Sequence, residues 1–422
     1  MNNDNLPKLK KLLDFAFNNQ HSDFYRRKYQ KANFNPVTDF NSIEDIKKIP
    51  LLSKKELSEA SPKELLFIRE DEGCYVSVTS GTTGEPFFIF RSGDIPLRDS
   101  ETFGKSLLLF SPRLTAKAFA RRALNQYKGG PFLVGDIYNL PGSCHLAAKL
   151  GINTIITTPT LAIILKEYIE RYPDLKKTLK SFILSGEFVS PEKKKTLEEL
   201  YPHLKFSFIY GMAEIGHITH QCQFLAERKE QIYYHPETDY YYFEIINPDT
   251  GKEVKSGEKG ELVITSFESL ATPLIRYRTG DSAIFKENDC PCGSDGPLLQ
   301  ILGRIDYDAV KVGGFVLKKQ MVEKPISNLK EILEDSFEAH FYERYVNAKP
   351  RIKVMLNLAL KTGLRESLEI KQKIDNEFLE NWQLSPNLNL RKAVEAGLFE
   401  PLQINFVEFP TTGKAKQVLI LH

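Results

Sequence analysis

Apolar positions in the first seventy residues recur at helical spacing. Leu9, Leu12, Leu13 and Phe15 form one stripe, and Ser53 with Glu56 in SKKEL writes a capping-box helix start. Residues 1–70 therefore predict helices with short breaks, a lead-in rather than a domain with its own core. From residue 74 the period changes. Short β-rich runs (CYVSVTS, INTIITT, SFILSG, FSFIYG) alternate with helical stretches (residues 145–150, LAIILKEYIERY, PEKKKTLEELY), the rhythm of an α/β sheet covered by helices. Between 230 and 302 the pattern turns to strands separated by Gly and Asp, as in YYYFEIINPDTGKEV and GELVITSF. After GRIDYDAVKVGG, helix and strand alternate again to residue 422, a stretch the size of a small α+β domain. The predicted organisation is a large α/β N-terminal domain over 1–305, holding a β-rich subdomain at about 222–302, and a small C-terminal α+β domain over 306–422, with the boundary near Asp306.

Composition narrows the class. A chain of 422 residues exceeds one ordinary core, and 41% hydrophobic with 11% aromatic residues argue for folding rather than disorder. Against 57 basic residues stand 55 acidic ones, a formal charge of +2 that offers no global field for a nucleic-acid backbone. The N-terminus MNNDNLPKLKKLLDFAFNNQ lacks the apolar core of a signal peptide, and no window holds the roughly 18 uncharged apolar residues of a membrane span. The expectation is a cytoplasmic protein without a membrane partner. Five cysteines (Cys74, Cys144, Cys222, Cys290, Cys292) are too few and too scattered for a disulfide framework, leaving reduced thiols or a metal site.

The strongest local signal is Val78-Thr79-Ser80-Gly81-Thr82-Thr83-Gly84-Glu85-Pro86, which follows a β-like run. Glycines let backbone N–H groups approach phosphate oxygens, and the hydroxyls add donors, so such a loop can hold the phosphates of ATP. It lacks the GK[ST] ending of a Walker loop, and taken alone it reads equally as a solvated turn.

In form this loop resembles the phosphate-binding loop of the adenylate-forming superfamily, and the chain supplies that family's other motifs in order. The resemblance assigns Ser80, Gly81, Thr83 and Gly84 to the ATP phosphates, with Thr82 as a catalytic residue, and places Gly186 and Glu187 at the nucleotide. Tyr210-Gly211-Met212-Ala213-Glu214 resembles the YGxxE segment, whose aromatic packs on adenine and whose carboxylate helps hold magnesium, a hard cation suited to carboxylate and phosphate oxygens. Tyr277-Arg278-Thr279-Gly280-Asp281 resembles YRTGD, whose Asp accepts the ribose hydroxyls. Gly303-Arg304-Ile305-Asp306 resembles GRxD, with Arg304 near ribose or phosphate and Asp306 as the hinge. Pro410-Thr411-Thr412-Gly413-Lys414 resembles the segment presenting the catalytic lysine, an ammonium that neutralises charge at the α-phosphate; Lys416 is a second candidate. Each motif alone would be a solvated turn, a first-turn carboxylate or a surface charge pair of little energetic weight.

Within the superfamily the chain is similar to the phenylacetate-CoA ligase branch through HSDFYRRKYQKANF, SIEDIKKIPLLSKKEL, PLIRYRTGD, CPCG and LGRIDY, over about residues 20 to 422. That resemblance implies a large domain binding ATP and the acid, a small C-terminal domain rotating between two half-reactions, and a structural zinc. The activity it implies is acid plus ATP giving acyl-AMP and pyrophosphate, then transfer to coenzyme A, with an aryl or arylacetic acid expected. Three departures stand out. Glu85 occupies the usual lysine position, the stretch from Gly151 to Thr158 is short by about one strand-helix connection, and only Tyr138-Asn139-Leu140-Pro141-Gly142-Ser143 represents the glycine-rich acid-pocket segment. One alternative is delivery of the acyl group to carrier-protein phosphopantetheine or an amine; another is a non-catalytic nucleotide-binding relative.

For the zinc, Cys290-Pro291-Cys292-Gly293 puts two sulfurs on one turn, and Cys222 with His235, His220 or His217 completes a Cys3His set, with His235 the first choice. The alternative is reduced thiols in a loop.

Overall fold

Short apolar runs become strands of a parallel sheet, because a strand covered on both faces needs no polar alternation. In the computed structural model the sheet order is Phe132–Val134, Ser106–Leu109, Thr154–Thr157, Ser181–Ser185, Lys205–Ile209, all parallel. The structure describes residues 5–69, 71–78, 88–91, 104–110, 130–229, 231–267, 271–304, 309–313, 315–346, 349–385, 387–408 and 417–421. Leu108, Ile156, Ile183 and Ile209, one from each of four strands, form a buried row across the sheet.

The chain divides into two units. The first comprises 1–158, 168–188 and 203–303, the second 159–167, 189–202 and 304–422. In the first, the strand-and-turn region forms a four-stranded sheet, Tyr241–Ile246, Gly260–Ser266, Tyr277–Lys286 and Leu298–Arg304 in order, whose first two pairs are antiparallel. The helical lead-in packs on it: Leu9, Tyr25, Leu52 and Phe67 share one core with Tyr241, Leu262, Ile264 and Tyr277. The fully buried Tyr25 donates its O–H to the Pro273 carbonyl (2.8 Å) and accepts from the Ile275 N–H (3.1 Å). The capping box at Ser53 and Glu56 is present, starting the helix Lys54–Glu59.

Residues 145–150, a helical stretch in the predicted alternation, lie inside the helix Leu140–Leu150. Buried Leu140, Cys144 and Ala147 follow helical spacing, Pro141 sits in the first turn, and the Asn139 side chain accepts the Gly142 N–H (3.0 Å).

The second unit carries its own core. Its sheet runs Gln403–Phe406, Lys349–Leu360, Leu333–Val346, Gln417–Leu421, with the central pair antiparallel and both edge strands parallel to their neighbours. The helix Leu368–Asn381 supplies Ile374 and Phe378, which pack with Phe341, Val354, Leu356 and the fully buried Trp382. Among the described residues no helix is long and apolar enough to cross a membrane.

Candidate nucleotide site and cysteine cluster

Parallel sheets bind ligands beyond the carboxyl ends of their strands. Three neighbouring strands end at Thr157, Ser185 and Ile209, and directly after two of them come Gly186-Glu187 and Tyr210-Gly211. Gly186 stands at φ +86°.

Tyr210 is pinned at both backbone groups. Its N–H donates to Thr219 Oγ1 (3.1 Å) and its carbonyl accepts the Ile218 N–H (3.2 Å). The chain doubles back here through the strands Gly211–Met212 and Gly216–His217, so close that a Cβ on Gly211 would stand 2.4 Å from the Gly216 carbonyl oxygen. Only glycine fits. The Tyr210 O–H donates to Asp281 Oδ2 at 2.5 Å, and the Tyr277 O–H donates to Glu214 Oε1 at 3.1 Å. Asp281 and Tyr277 share the strand Tyr277–Lys286, so two carboxylates from motifs far apart in sequence are held by reciprocal tyrosines at one place. Asp281 is 9% exposed, and its N–H is fixed by Thr279 Oγ1 (3.0 Å), which in turn donates to the Leu262 carbonyl (2.7 Å). An ionised carboxylate held this way keeps acceptor capacity for a second partner.

Arg304 ends the strand Leu298–Arg304 as an exposed residue. Ser80, Gly81, Thr82, Thr83, Gly84, Glu85, Asp306, Lys414 and Lys416 lie outside the described residues. Tyr138, from the acid-pocket segment, is 80% exposed, while Asn139 serves as the helix cap just described.

The cysteine cluster assembles from three places. Cys222 precedes the short helix Gln223–Ala226, buried His235 lies on the strand His235–Pro236 paired with Thr219–His220, and Cys290 and Cys292 sit on the turn after the strand Tyr277–Lys286. Cys222 Sγ is 3.3 Å from Cys290 Sγ, Cys292 Sγ is 3.2 Å from His235 Nε2, and all four ligand atoms lie within 4.8 Å of one another. Tetrahedral zinc with bonds of about 2.0–2.3 Å places its ligand atoms roughly 3.5–4 Å apart, so donor type, number and spacing fit that ion. Burial and the neighbouring sulfurs push the Cys290 thiol up to about 12. Burial opposes the Cys292 thiolate too, yet the Ser294 N–H and the adjacent thiols hold it below the ordinary thiol value. The other two histidines face elsewhere: His220 Nδ1 meets Glu237 Oε1 at 2.5 Å, and His217 Nε2 meets the Thr219 carbonyl.

Sequence reasoning singled out neither Tyr277 nor Thr219 as a positioning residue. Tyr277 stood inside a quoted motif, and its alternation with Asp281 along a strand was the available signal.

The family model described as AMP-binding enzyme matches residues 128–270. The phenylacetate-coenzyme A ligase of Thermus thermophilus is 27% identical over 77% of this chain and 75% of its own length. That of Pseudomonas putida is 26% identical over 80% and 77%. In fold, a 2-hydroxyisobutyryl-CoA ligase solved with 2-HIB-AMP and CoA superposes with a TM-score of 0.65 at 20% identity, covering 99% of this chain and 88% of that one. Residues 128–270 thus match the AMP-binding enzyme family, and most of the chain is similar to phenylacetate-coenzyme A ligases.

Proposed function

We propose that the protein activates a carboxylic acid with ATP and transfers the acyl group to coenzyme A. In the first step a carboxylate oxygen of the acid attacks the α-phosphorus of ATP and pyrophosphate leaves, giving acyl-AMP. In the second the thiol sulfur attacks the acyl carbon, AMP leaves and the thiol proton is released. The observation that carries this reading is the paired arrangement of Tyr210 with Asp281 and Tyr277 with Glu214 beyond the sheet's carboxyl ends. Asp281, oriented by the Tyr210 hydroxyl, accepts the ribose hydroxyls. Glu214 offers its carboxylate to magnesium, which when bound offsets the polyphosphate charge. Lys414 supplies the ammonium at the α-phosphate, and residues 306–422 form the lid that brings it there. An aryl or arylacetic acid is the substrate class that the relatives support, and the Cys222, His235, Cys290 and Cys292 set holds a structural zinc.

Acid-dependent exchange of labelled pyrophosphate into ATP over a broad acid panel tests the first step. Mass spectrometry of the acceptor with coenzyme A or a carrier protein tests the second. No exchange with any acid overturns the reading in favour of a non-catalytic nucleotide binder, and acylated carrier protein without acyl-CoA would replace coenzyme A as the acceptor.

A further inference from the structure

A buried cation, Arg91, stands beside this site, and among the described residues it has no counter-ion. Arg91 ends the strand Phe88–Arg91, which runs antiparallel to Tyr75–Val78 with Arg91 opposite Tyr75. These strands flank residues 79–87, the hydroxyl- and glycine-rich segment, which contains neither Lys nor Arg. Arg91 is only 7% exposed. Its guanidinium lies 5.4 Å from the centre of the Tyr75 ring. Gly216 also lies against it: a Cβ there would stand 2.6 Å from Nη2 and 2.9 Å from Nη1. Gly216 belongs to the turn that carries Glu214, so the chain leaves room for this guanidinium within two residues of a site carboxylate.

Among the described residues no carboxylate and no hydrogen-bond acceptor pairs with the Arg91 guanidinium. The contrast with Arg276 is instructive. That arginine, 3% exposed, donates to both Glu244 oxygens (3.0 and 2.8 Å) and to the Ile49 carbonyl (2.6 Å). Burying a charge is costly unless it is paired, and a ring face offsets only a small part of that cost. An anion that arrives with a ligand would supply what the described residues do not.

We propose that Arg91 is an anion-binding residue of the nucleotide site, taking the β,γ-phosphate end of ATP and the pyrophosphate it becomes. The inference rests on the nucleotide reading given above. A guanidinium presents a planar fork of N–H donors that matches phosphate oxygens two at a time, which a lysine cannot do. Arg91 lies on the strand that follows residues 79–87 in sequence and against Gly216, two residues after Glu214, the carboxylate proposed for magnesium. The carboxylate of the acid substrate is the competing anion.

Calorimetric titration of AMP, a non-hydrolysable ATP analogue and pyrophosphate into the wild-type chain and Arg91→Met separates the possibilities. The expected result is at least a tenfold loss of affinity for the ATP analogue and for pyrophosphate, with AMP, which lacks those phosphates, held within twofold. Arg91→Lys, which keeps the charge but not the fork, should fall between, and it carries the test if the Met variant does not fold. Adding Glu85→Lys to Arg91→Met should recover part of the lost ATP affinity while leaving AMP unchanged. Equal losses for AMP and the ATP analogue overturn the proposal and make Arg91 a packing residue. Unchanged nucleotide binding with a raised KM for the acid overturns it in favour of the carboxylate. A wild-type chain that binds neither AMP nor ATP would instead remove the nucleotide reading on which it rests.

Discussion

Single side chains in this protein act mainly by orienting one another. On the proposed reading, orientation and binding are the same event at Asp281, because the Tyr210 hydroxyl fixes the carboxylate at 2.5 Å and the nucleotide sugar would complete its acceptor set. A hydrogen bond to a charged group contributes about 1.5–3 kcal/mol. Asp281→Ala should therefore raise the Kd for AMP roughly 10- to 100-fold, read by equilibrium binding, and unchanged affinity would remove Asp281 from the site. Far from the site, Glu64 shows the same logic in stability. The Arg27 guanidinium, with the Ser61 N–H and hydroxyl, holds the Glu64 carboxyl at about 2. Because the folded pKa lies below the ordinary glutamate value of about 4.3, the stabilisation is present above that value and is lost as the pH falls towards 2. The pair is part-exposed, so solvent screening keeps its worth under about 1 kcal/mol. Glu64→Gln should lower the melting temperature by no more than about 2 °C at neutral pH, and the gap from wild type should close as the pH drops through 4 to 2. A gap that persists at pH 2 would mean that the loss is not electrostatic. These residue-scale partnerships were the least legible part of the sequence. YGMAE and YRTGD made Glu214 and Asp281 candidates, but which tyrosine bonds which carboxylate depends on strand register, and register is a tertiary fact.

At the scale of elements, local chemistry was readable wherever one residue decides a boundary. The box of Ser53 and Glu56 is such a boundary, and the turn segments from 230 to 302 likewise become a four-stranded sheet. The stretch 145–150 takes a helical place in the alternation, and the signals that start that helix, Asn139 and Pro141, lie several residues upstream. The cysteine cluster was partly legible. Cys290 and Cys292 are adjacent in sequence, whereas Cys222 and His235 reach them only because the strand His235–Pro236 pairs with Thr219–His220 and returns beside the turn. If zinc holds this junction of three elements, the purified protein should contain about one zinc per chain, by elemental analysis. Zinc requires thiolates, so acid or a chelator should release it. A Cys290→Ser, Cys292→Ser double variant should then melt at lower temperature while keeping its pyrophosphate exchange at low temperature. Absence of zinc with freely titrating thiols would refute the site. A variant that melts normally but has lost catalysis would move these cysteines into the reaction.

The whole molecule is two separately cored units, since a chain of this length does not sustain one core. What the pattern along the chain could not reveal is that 159–167 and 189–202, helical segments lying between strands of the parallel sheet, group with the second unit. On the proposal that residues 306–422 act as a lid, the two half-reactions make different demands on it. Displacing pyrophosphate builds negative charge around the α-phosphate, so an ammonium there lowers that barrier by preorganised electrostatics. Thiol attack on the acyl carbon releases AMP instead, and the charge that builds is on the carbonyl oxygen and the leaving phosphate. A lysine delivered by one lid orientation contributes to the step run in that orientation and little to the other. Lys414→Ala should therefore slow acid-dependent pyrophosphate exchange by about 100-fold or more, the effect typical of losing one preorganised stabilising group. Formation of acyl-CoA from synthetic acyl-AMP by the same variant should stay within a few-fold of wild type. Lys416→Ala, two residues away, is the control and should leave both steps near wild type. Equal loss of both half-reactions in Lys414→Ala would mean that the lysine stabilises the nucleotide in every state, and a loss carried by Lys416→Ala alone would transfer the role to that residue.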